Sequence, residues 1–142
     1  MNPSFISFVL SHLMKPLRWI PAIIWTFFIA FLCLVPRIGI YPPHWTLRLH
    51  PDKWVHFTMF FILACFVFIG MGAAYWKRHR RIYIMIVLAL ALYGGLLELA
   101  QGLFTVTRDP EFFDFLADTI GALAGWLLML RLTRNVKPLP EG

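Results

Sequence analysis

The sequence predicts an all-α integral membrane protein: a bundle of four transmembrane helices with both termini in the cytoplasm, preceded by a short interfacial helix. Three observations lead to this fold class. Of the 142 residues, 60% are hydrophobic and only 14% are charged, and the mean hydropathy is +0.72. A soluble domain is about half apolar and about a quarter charged. The composition therefore excludes a water-soluble enzyme with a globular domain of its own.

Four apolar runs are each close to the length of about 20 residues that crosses a hydrocarbon layer about 30 Å thick. They cover residues 19–35, 54–76, 82–104 and 112–130. The chain therefore divides into a four-span membrane domain, 19–130, and a cytoplasmic tail, 131–142. Residues 1–18 place serines on one helical face and large apolar residues elsewhere, which predicts a helix lying on the cytoplasmic surface.

The distribution of lysine and arginine predicts the orientation. Nine of the 13 basic residues fall on the side that carries both termini and the loop after the second span, and four fall on the other side. Because cytoplasmic loops carry the excess of basic residues, both termini are expected inside. Six of the seven acids fall at or towards the outer side. The net charge of +6 is thus explained by the basic residues on the cytoplasmic side of the membrane. No nucleic-acid partner is predicted.

Polar residues from three spans are predicted to meet in one layer of the outer leaflet. At about 1.5 Å per residue, Glu98 of the third span and Asp118 of the fourth both lie about 9 Å below the outer boundary. A central acid costs about 2.5–3.5 kcal/mol on insertion scales, so polar residues that converge inside a membrane indicate a functional site. The predicted ligand-binding residues are Asp52, Lys53, His56, Glu98, Gln101, Arg108, Asp114 and Asp118.

Several of these residues also have a purely structural interpretation. Asp52 can cap a helix, Lys53 can snorkel to the interface, and Gln101 can link helices. Asp109 and Glu111 are interpreted as solvated loop charges. No catalytic residue is assigned, no metal-ligand spacing is recognised and no cofactor is predicted, although a divalent cation stays open as an alternative.

Glycines near the acids predict close helix packing. Gly94-Gly95 lies one turn below Glu98, and Gly121-x-x-x-Gly125 follows Asp118. Small residues at this spacing allow helices to approach closely. We expect them to pack the third span against the fourth and to hold the two acids near each other.

Taken together, these motifs resemble the VanZ-like family of small bacterial membrane proteins. The matching pieces, in order along residues 36–125, are Asp52-Lys53-x-x-His56-Phe57, Glu98-x-x-Gln101, Arg108 with Asp114 six residues later, and Gly121-x-x-x-Gly125. Asp118 departs from the family pattern, in which Asn is expected. The resemblance implies a multi-pass protein of the bacterial inner membrane. The family is named for an accessory factor in resistance to the glycopeptide teicoplanin, and the resemblance implies no defined reaction.

The leading function is the binding or handling of an envelope lipid, such as a polyprenyl phosphate, a lipid-linked precursor or a lipid-tailed glycopeptide. Lys53 and Arg108 would bind its phosphate, although the neighbouring acids repel an anion unless protonated or bridged by Mg²⁺. An intramembrane metal-assisted hydrolase or transferase is one alternative. A proton-coupled carrier and a structural membrane partner are two others. The sequence decides neither whether the protein is an enzyme nor its oligomeric state.

Overall fold

A computed structural model of the chain describes residues 16–35, 51–78, 80–104 and 111–137, and all regular secondary structure within these ranges is helical. The helices are α1 (Ile20–Leu34), α2 (Pro51–Met71), α3 (Ala73–Arg78), α4 (Arg80–Phe104) and α5 (Phe112–Leu132). By length and composition, α2, α4 and α5 can each cross a membrane, and α1 is a shorter apolar helix. The 15 residues of α1 extend over about 22 Å.

The outer surface of the helices is apolar, as a lipid environment requires. Phe27 and Leu92 lie in the middle of α1 and α4, and Leu103 lies in the last turn of α4. Their side chains are 72%, 65% and 78% exposed. Exposed apolar surface on this scale would be unstable in water, whereas hydrocarbon tails solvate it. The chain is therefore a membrane protein.

The helix that covers the predicted second span ends earlier than its apolar run. Gly72 separates α2 from α3 with φ of 81°, in the left-handed region that glycine adopts most readily. Its backbone N–H donates to the carbonyl oxygens of Phe68 and Ile69 at 3.2 and 3.1 Å. Such bonds satisfy the last carbonyls of a helix, so Gly72 is the point at which α2 stops.

The helices contact one another in the cyclic order α1–α2–α5–α4, with the most extensive contact between α2 and α5. Their buried centre is formed by apolar side chains from all four helices, including Ile29, Phe60, Leu90 and Ala122. Successive long helices run in opposite directions. The start of α2, the end of α4 and the start of α5 therefore lie together at one end, here called the acidic end.

Gly121 and Gly125 correct one sequence prediction. They face α2, not the third span: a Cβ added at Gly121 would collide with the carbonyl oxygen of Phe57, and one at Gly125 would lie 2.6 Å from that of Phe61. The glycine pair thus lets the backbones of α2 and α5 touch. Gly94 does contact the fourth predicted span, because an added Cβ there would lie 2.6 Å from Asp118 Oδ2.

Side-chain hydrogen bonds to backbone carbonyls fix α1 to the other helices. Trp25 Nε1 donates to the Met59 carbonyl at 2.9 Å, and Tyr93 Oη donates to the Thr26 carbonyl at 2.7 Å. Bonds of this kind between helices are typical of membrane interiors, where water does not compete. They position α1 beside α2 and α4.

The end opposite the acidic end is basic. Lys77 Nζ donates to three carbonyls just after α5: those of Thr133, Arg134 (3.2 Å) and Val136 (3.1 Å). A lysine at this position satisfies terminal carbonyls and complements the negative end of the helix dipole. Residues 1–15 of the predicted interfacial helix, 1–18, are outside the described residues. The same holds for residues 138–142 of the predicted tail.

Replacing Gly121 with alanine tests the α2–α5 contact. The new methyl group would have to displace backbone atoms of α2, and overpacking of this kind costs about 1–3 kcal/mol. We expect a lower melting temperature for Gly121→Ala in detergent, followed by tryptophan fluorescence.

Gly95→Ala is the matched control. Its added Cβ would make only ordinary contacts with the Phe115 ring, at 3.5 and 3.6 Å, and alanine is the better helix former by about 1 kcal/mol. This variant should melt at or above the wild-type temperature. Equal melting of the two variants would contradict the close approach of α2 and α5.

Candidate functional site

Three helices each contribute one deeply placed polar side chain to the acidic end. His56 lies in the second turn of α2, Glu98 lies six residues before the end of α4, and Asp118 lies six residues after the start of α5. One potential ligand atom from each of these residues lies within 4.8 Å of the others. His56, Glu98 and Asp118 are called the buried cluster below.

The imidazole is the centre of this cluster. His56 Nδ1 lies 3.1 Å from Asp118 Oδ1 and 3.7 Å from Glu98 Oε1. The first distance is that of a hydrogen bond, and the second is too long for one. His56 Nε2, on the other edge of the ring, lies 4.0 Å from Asp114 Oδ2. The ring is thus surrounded by carboxylates from two helices.

The buried cluster has almost no access to solvent. The side chains of His56, Glu98 and Asp118 are 3%, 6% and 1% exposed. Within the described part of the chain, Glu98 Oε1 and Asp118 Oδ2 are both buried and have no hydrogen-bond partner. A buried acceptor that is left unsatisfied costs about 1–3 kcal/mol, and more when it is charged. Packing alone therefore does not account for these two oxygens.

A second layer of charges covers the buried cluster, and Lys53 organises it. Lys53 Nζ lies 2.6 Å from Glu111 Oε2, 2.9 Å from Asp114 Oδ1 and 3.6 Å from Asp52 Oδ2. Among the described residues, Lys53 is the only lysine or arginine that pairs with acids at this end. Asp52, Lys53, Glu111 and Asp114 are called the Lys53 layer below.

Glu111 belongs to the site although the sequence prediction treated it as a solvated loop charge. It occupies the N-cap of α5, and its backbone N–H donates to Glu98 Oε2 at 3.1 Å. Its carboxylate is exposed yet bonded to Lys53. The available signal was its place three residues before Asp114, at the helix entrance, where an acid is favoured by the helix dipole.

One predicted site residue, Gln101, makes a different contact, and another, Arg108, is not among the described residues. The amide nitrogen of Gln101 is buried and donates to the Cys33 carbonyl at 3.0 Å, which links α4 to α1. Arg108 lies outside the described residues. Asp52, Lys53 and Asp114 belong to the Lys53 layer, so the structure brings six of the eight predicted residues together in two adjoining layers.

Gly94 provides the space for the Asp118 carboxylate. A Cβ at this position would lie 2.6 Å from Asp118 Oδ2 and 3.2 Å from its Cγ. Gly94 also precedes Glu98 by four residues, so both face α5 from the same side of α4. The sequence pattern indicated close packing here, and the structure shows that the close contact is made by a carboxylate.

The charge of the two layers is strongly negative. Five carboxylates, Asp52, Glu98, Glu111, Asp114 and Asp118, surround one lysine and one imidazole. Chemically, such an arrangement can bind a cation, exchange protons, or bind an anion through a bridging cation. It does not present a free cationic group, because Lys53 already contacts three acids.

An apolar groove of about 340 Å³ runs between α1 and α2 on the outside of the bundle. Its lining residues are Trp25, Phe28, Leu32, Trp54, Val55, Thr58, Met59 and Ile62. The groove begins at Trp54, which directly follows Lys53 in the chain, and extends away from the acidic end. Thr58 is the most polar lining residue, and its hydroxyl donates to the Trp54 carbonyl at 2.7 Å. The groove therefore offers an apolar surface that starts at the same end of the bundle as the charged residues.

Comparison with protein-family models, with curated proteins and with solved structures finds no match to this chain. The resemblance to the VanZ-like family accordingly rests on the residues that carry it. Of these, Asp52, Lys53, His56, Glu98 and Asp114 lie in the two charged layers. What the resemblance implies about activity is part of the proposal that follows.

Proposed function

We propose that this chain is a four-span protein of the bacterial inner membrane that binds an envelope lipid at the outer leaflet. The observation that carries the proposal is that the apolar groove begins at Trp54, at the same end of α2 as Lys53. A lipid likewise combines a charged part with an apolar part: its headgroup lies at the interface and its tail lies in the hydrocarbon layer. The groove would hold the first part of the tail, and the charged layers would bind the headgroup.

The orientation follows from the charges at the two ends. The described acids all lie in α2, α4, α5 or the residue before α5, at the acidic end. The opposite end carries basic residues: Arg18, Lys77, Arg78, Arg80, Arg81, Arg131, Arg134 and Lys137. The positive-inside rule assigns the basic end to the cytoplasm. α1 is then the fourth span.

Cysteine labelling tests this orientation. We expect a membrane-impermeant maleimide to label Glu111→Cys in intact spheroplasts and to label Lys137→Cys only after the membrane is opened. Wild-type protein is the control, because Cys33 is buried and Cys65 is part-buried in the helix bundle. Labelling of Lys137→Cys in intact spheroplasts would reverse the proposed orientation.

The headgroup in this proposal is a phosphate, and Lys53 is the described residue that would contact it. Lysine binds phosphate as a point charge. Because Lys53 is shared among Asp52, Glu111 and Asp114, a phosphate has to compete with carboxylates or bind together with a cation. Arg108, four residues before the start of α5 by sequence, would add a second donor. Polyprenyl phosphates, lipid-linked precursors and lipid-tailed glycopeptides all fit this division of charge and tail.

Removing the Lys53 charge should weaken lipid retention. We expect Lys53→Gln to bind a polyprenyl phosphate at least about tenfold more weakly than wild type, which corresponds to about 1.4 kcal/mol. Native mass spectrometry of the gently extracted protein measures the bound fraction. Lys137→Gln removes the same charge at the basic end and should retain the lipid. Equal retention by Lys53→Gln and wild type would contradict the headgroup assignment.

A second pair of variants examines the groove without changing any charge. Val55→Trp fills the groove between α1 and α2, whereas Leu92→Trp adds the same ring to an exposed position on α4. Only Val55→Trp should lose the lipid. If both variants retain it, the tail does not bind in the groove.

A metal-assisted intramembrane hydrolase or transferase is the second candidate function. The specific observation in its favour is the buried imidazole that contacts two carboxylates, since such groups serve as general bases and metal ligands. Release of inorganic phosphate from a bound polyprenyl phosphate would distinguish this enzyme from a protein that only binds the lipid. Asp118→Asn should abolish that release if the cluster is catalytic.

A further inference from the structure

We propose that His56, Glu98 and Asp118 bind one divalent cation of the Zn²⁺ class, through His56 Nδ1, Glu98 Oε1 and an oxygen of Asp118. The inference goes beyond lipid binding, because the three contacts that carry it involve protein atoms only. It gives the buried cluster a ligand of defined chemistry.

The spacing of the three atoms suits such an ion. Zn²⁺ binds imidazole nitrogen and carboxylate oxygen at about 2.0–2.2 Å, which places tetrahedral ligands about 3.3–3.6 Å apart. His56 Nδ1 lies 3.1 Å from Asp118 Oδ1 and 3.7 Å from Glu98 Oε1, on either side of that value. One potential ligand atom from each of the three residues lies within 4.8 Å of the others, so the proposal requires only side-chain rotations to bring three ligands to one ion.

Two buried oxygens give independent support for a ligand. Glu98 Oε1 and Asp118 Oδ2 have no hydrogen-bond partner among the described residues, and both side chains are more than nine-tenths buried. Glu98 Oε1 points to the imidazole, at 3.7 Å from Nδ1. A bound cation would satisfy an acceptor for which the described residues provide no donor.

The charge count is compatible with a bound cation. Two ionised carboxylates with a neutral imidazole and a divalent cation sum to zero, and burying an unbalanced charge is costly. An imidazolium with one ionised and one protonated carboxyl also sums to zero, so the spacing of the ligand atoms and the two unsatisfied oxygens carry the assignment.

Neighbouring groups orient the proposed ligands. Glu98 Oε2 accepts the Glu111 backbone N–H at 3.1 Å, which leaves Oε1 for the cation. Asp114 Oδ2 faces His56 Nε2 at 4.0 Å, on the opposite edge of the ring from Nδ1, while Lys53 holds the other Asp114 oxygen at 2.9 Å. Metal-bound histidines commonly direct their second nitrogen at a carboxylate. The 4.0 Å separation is longer than a hydrogen bond, so the proposal requires the ring to move towards Asp114 when the cation binds, which would make Asp114 a positioning residue.

The choice of metal follows from the donor set. One imidazole and two carboxylates suit Zn²⁺ and similar borderline ions, whereas Mg²⁺ prefers oxygen ligands and retains several waters. Asp52, Glu111 and Asp114 also lie close enough together for a metal. Lys53 already occupies the space among them, at 2.6 Å from Glu111 and 2.9 Å from Asp114. The Lys53 layer is therefore not a second metal site.

A bound cation would also remove the electrostatic obstacle to an anionic headgroup. Three protein ligands leave at least one coordination position open on Zn²⁺, and a phosphate oxygen is a suitable ligand for it. This consequence rests on the proposed lipid binding, whereas the cation site does not.

The test measures metal content of the full chain in detergent, after lipid removal, so that it does not depend on the lipid. Chelator-treated protein is titrated with Zn²⁺, and bound metal is counted by mass spectrometry after desalting. We expect about one Zn²⁺ per chain in wild type. Glu98→Gln and Asp118→Asn, which preserve shape, should each lose at least about tenfold in affinity, and Asp114→Asn about 10–100-fold.

Thr119→Val is the matched control. Thr119 follows Asp118 in α5, and its hydroxyl donates to the Phe115 carbonyl of the same helix at 3.0 Å, so the variant changes a neighbouring polar side chain without changing a proposed ligand. It should bind Zn²⁺ as wild type does. Co²⁺ bound in the same site should absorb strongly in the visible range as a four-coordinate ion, and His56→Gln should remove that band. Substoichiometric Zn²⁺ in folded wild type, or an equal loss in Thr119→Val and Asp118→Asn, would overturn the proposal.

Discussion

Backbone contact between α2 and α5 at Gly121 and Gly125 is the constraint on which the remaining structure depends. Any larger residue at Gly121 would meet the Phe57 carbonyl, and the two helices would have to separate. Phe57 directly follows His56, and Asp118 precedes Gly121 by three residues. The same approach that packs the helices therefore sets the 3.1 Å contact between His56 Nδ1 and Asp118 Oδ1, so packing and site geometry are coupled.

The acidic end combines this close packing with an arrangement that is unfavourable for stability by itself. Carboxylates of Glu98 and Asp118 are held next to a single imidazole, where hydrocarbon and protein exclude water. Membrane proteins keep ionisable groups in such places mainly where a ligand, ion or proton uses them. A site with more carboxylates than cationic groups suits a bound cation. It also suits an anionic lipid that binds together with a cation.

Apolar runs were sufficient to predict an all-helical membrane chain, because length and hydropathy determine which segments can lie in lipid. Helix counting also predicted that His56, Glu98 and Asp118 would lie at one level. The partner of the glycine pair was predicted wrongly, since a GxxxG spacing specifies close approach without specifying the neighbour. Glu111 was missed because its role depends on a backbone N–H and on Lys53, 58 residues away, and neither leaves a periodic signal.

The buried cluster either stabilises the fold or binds a ligand, and one stability measurement distinguishes the two roles. The measurement is the free energy of unfolding of metal-free, lipid-free protein, for wild type and Glu98→Gln. Glutamine keeps the shape and can still accept the Glu111 N–H. A ligand site predicts that Glu98→Gln is as stable as wild type or more stable, because a buried charge is removed. A loss of about 3–5 kcal/mol, as when a buried ion pair is broken, would contradict it.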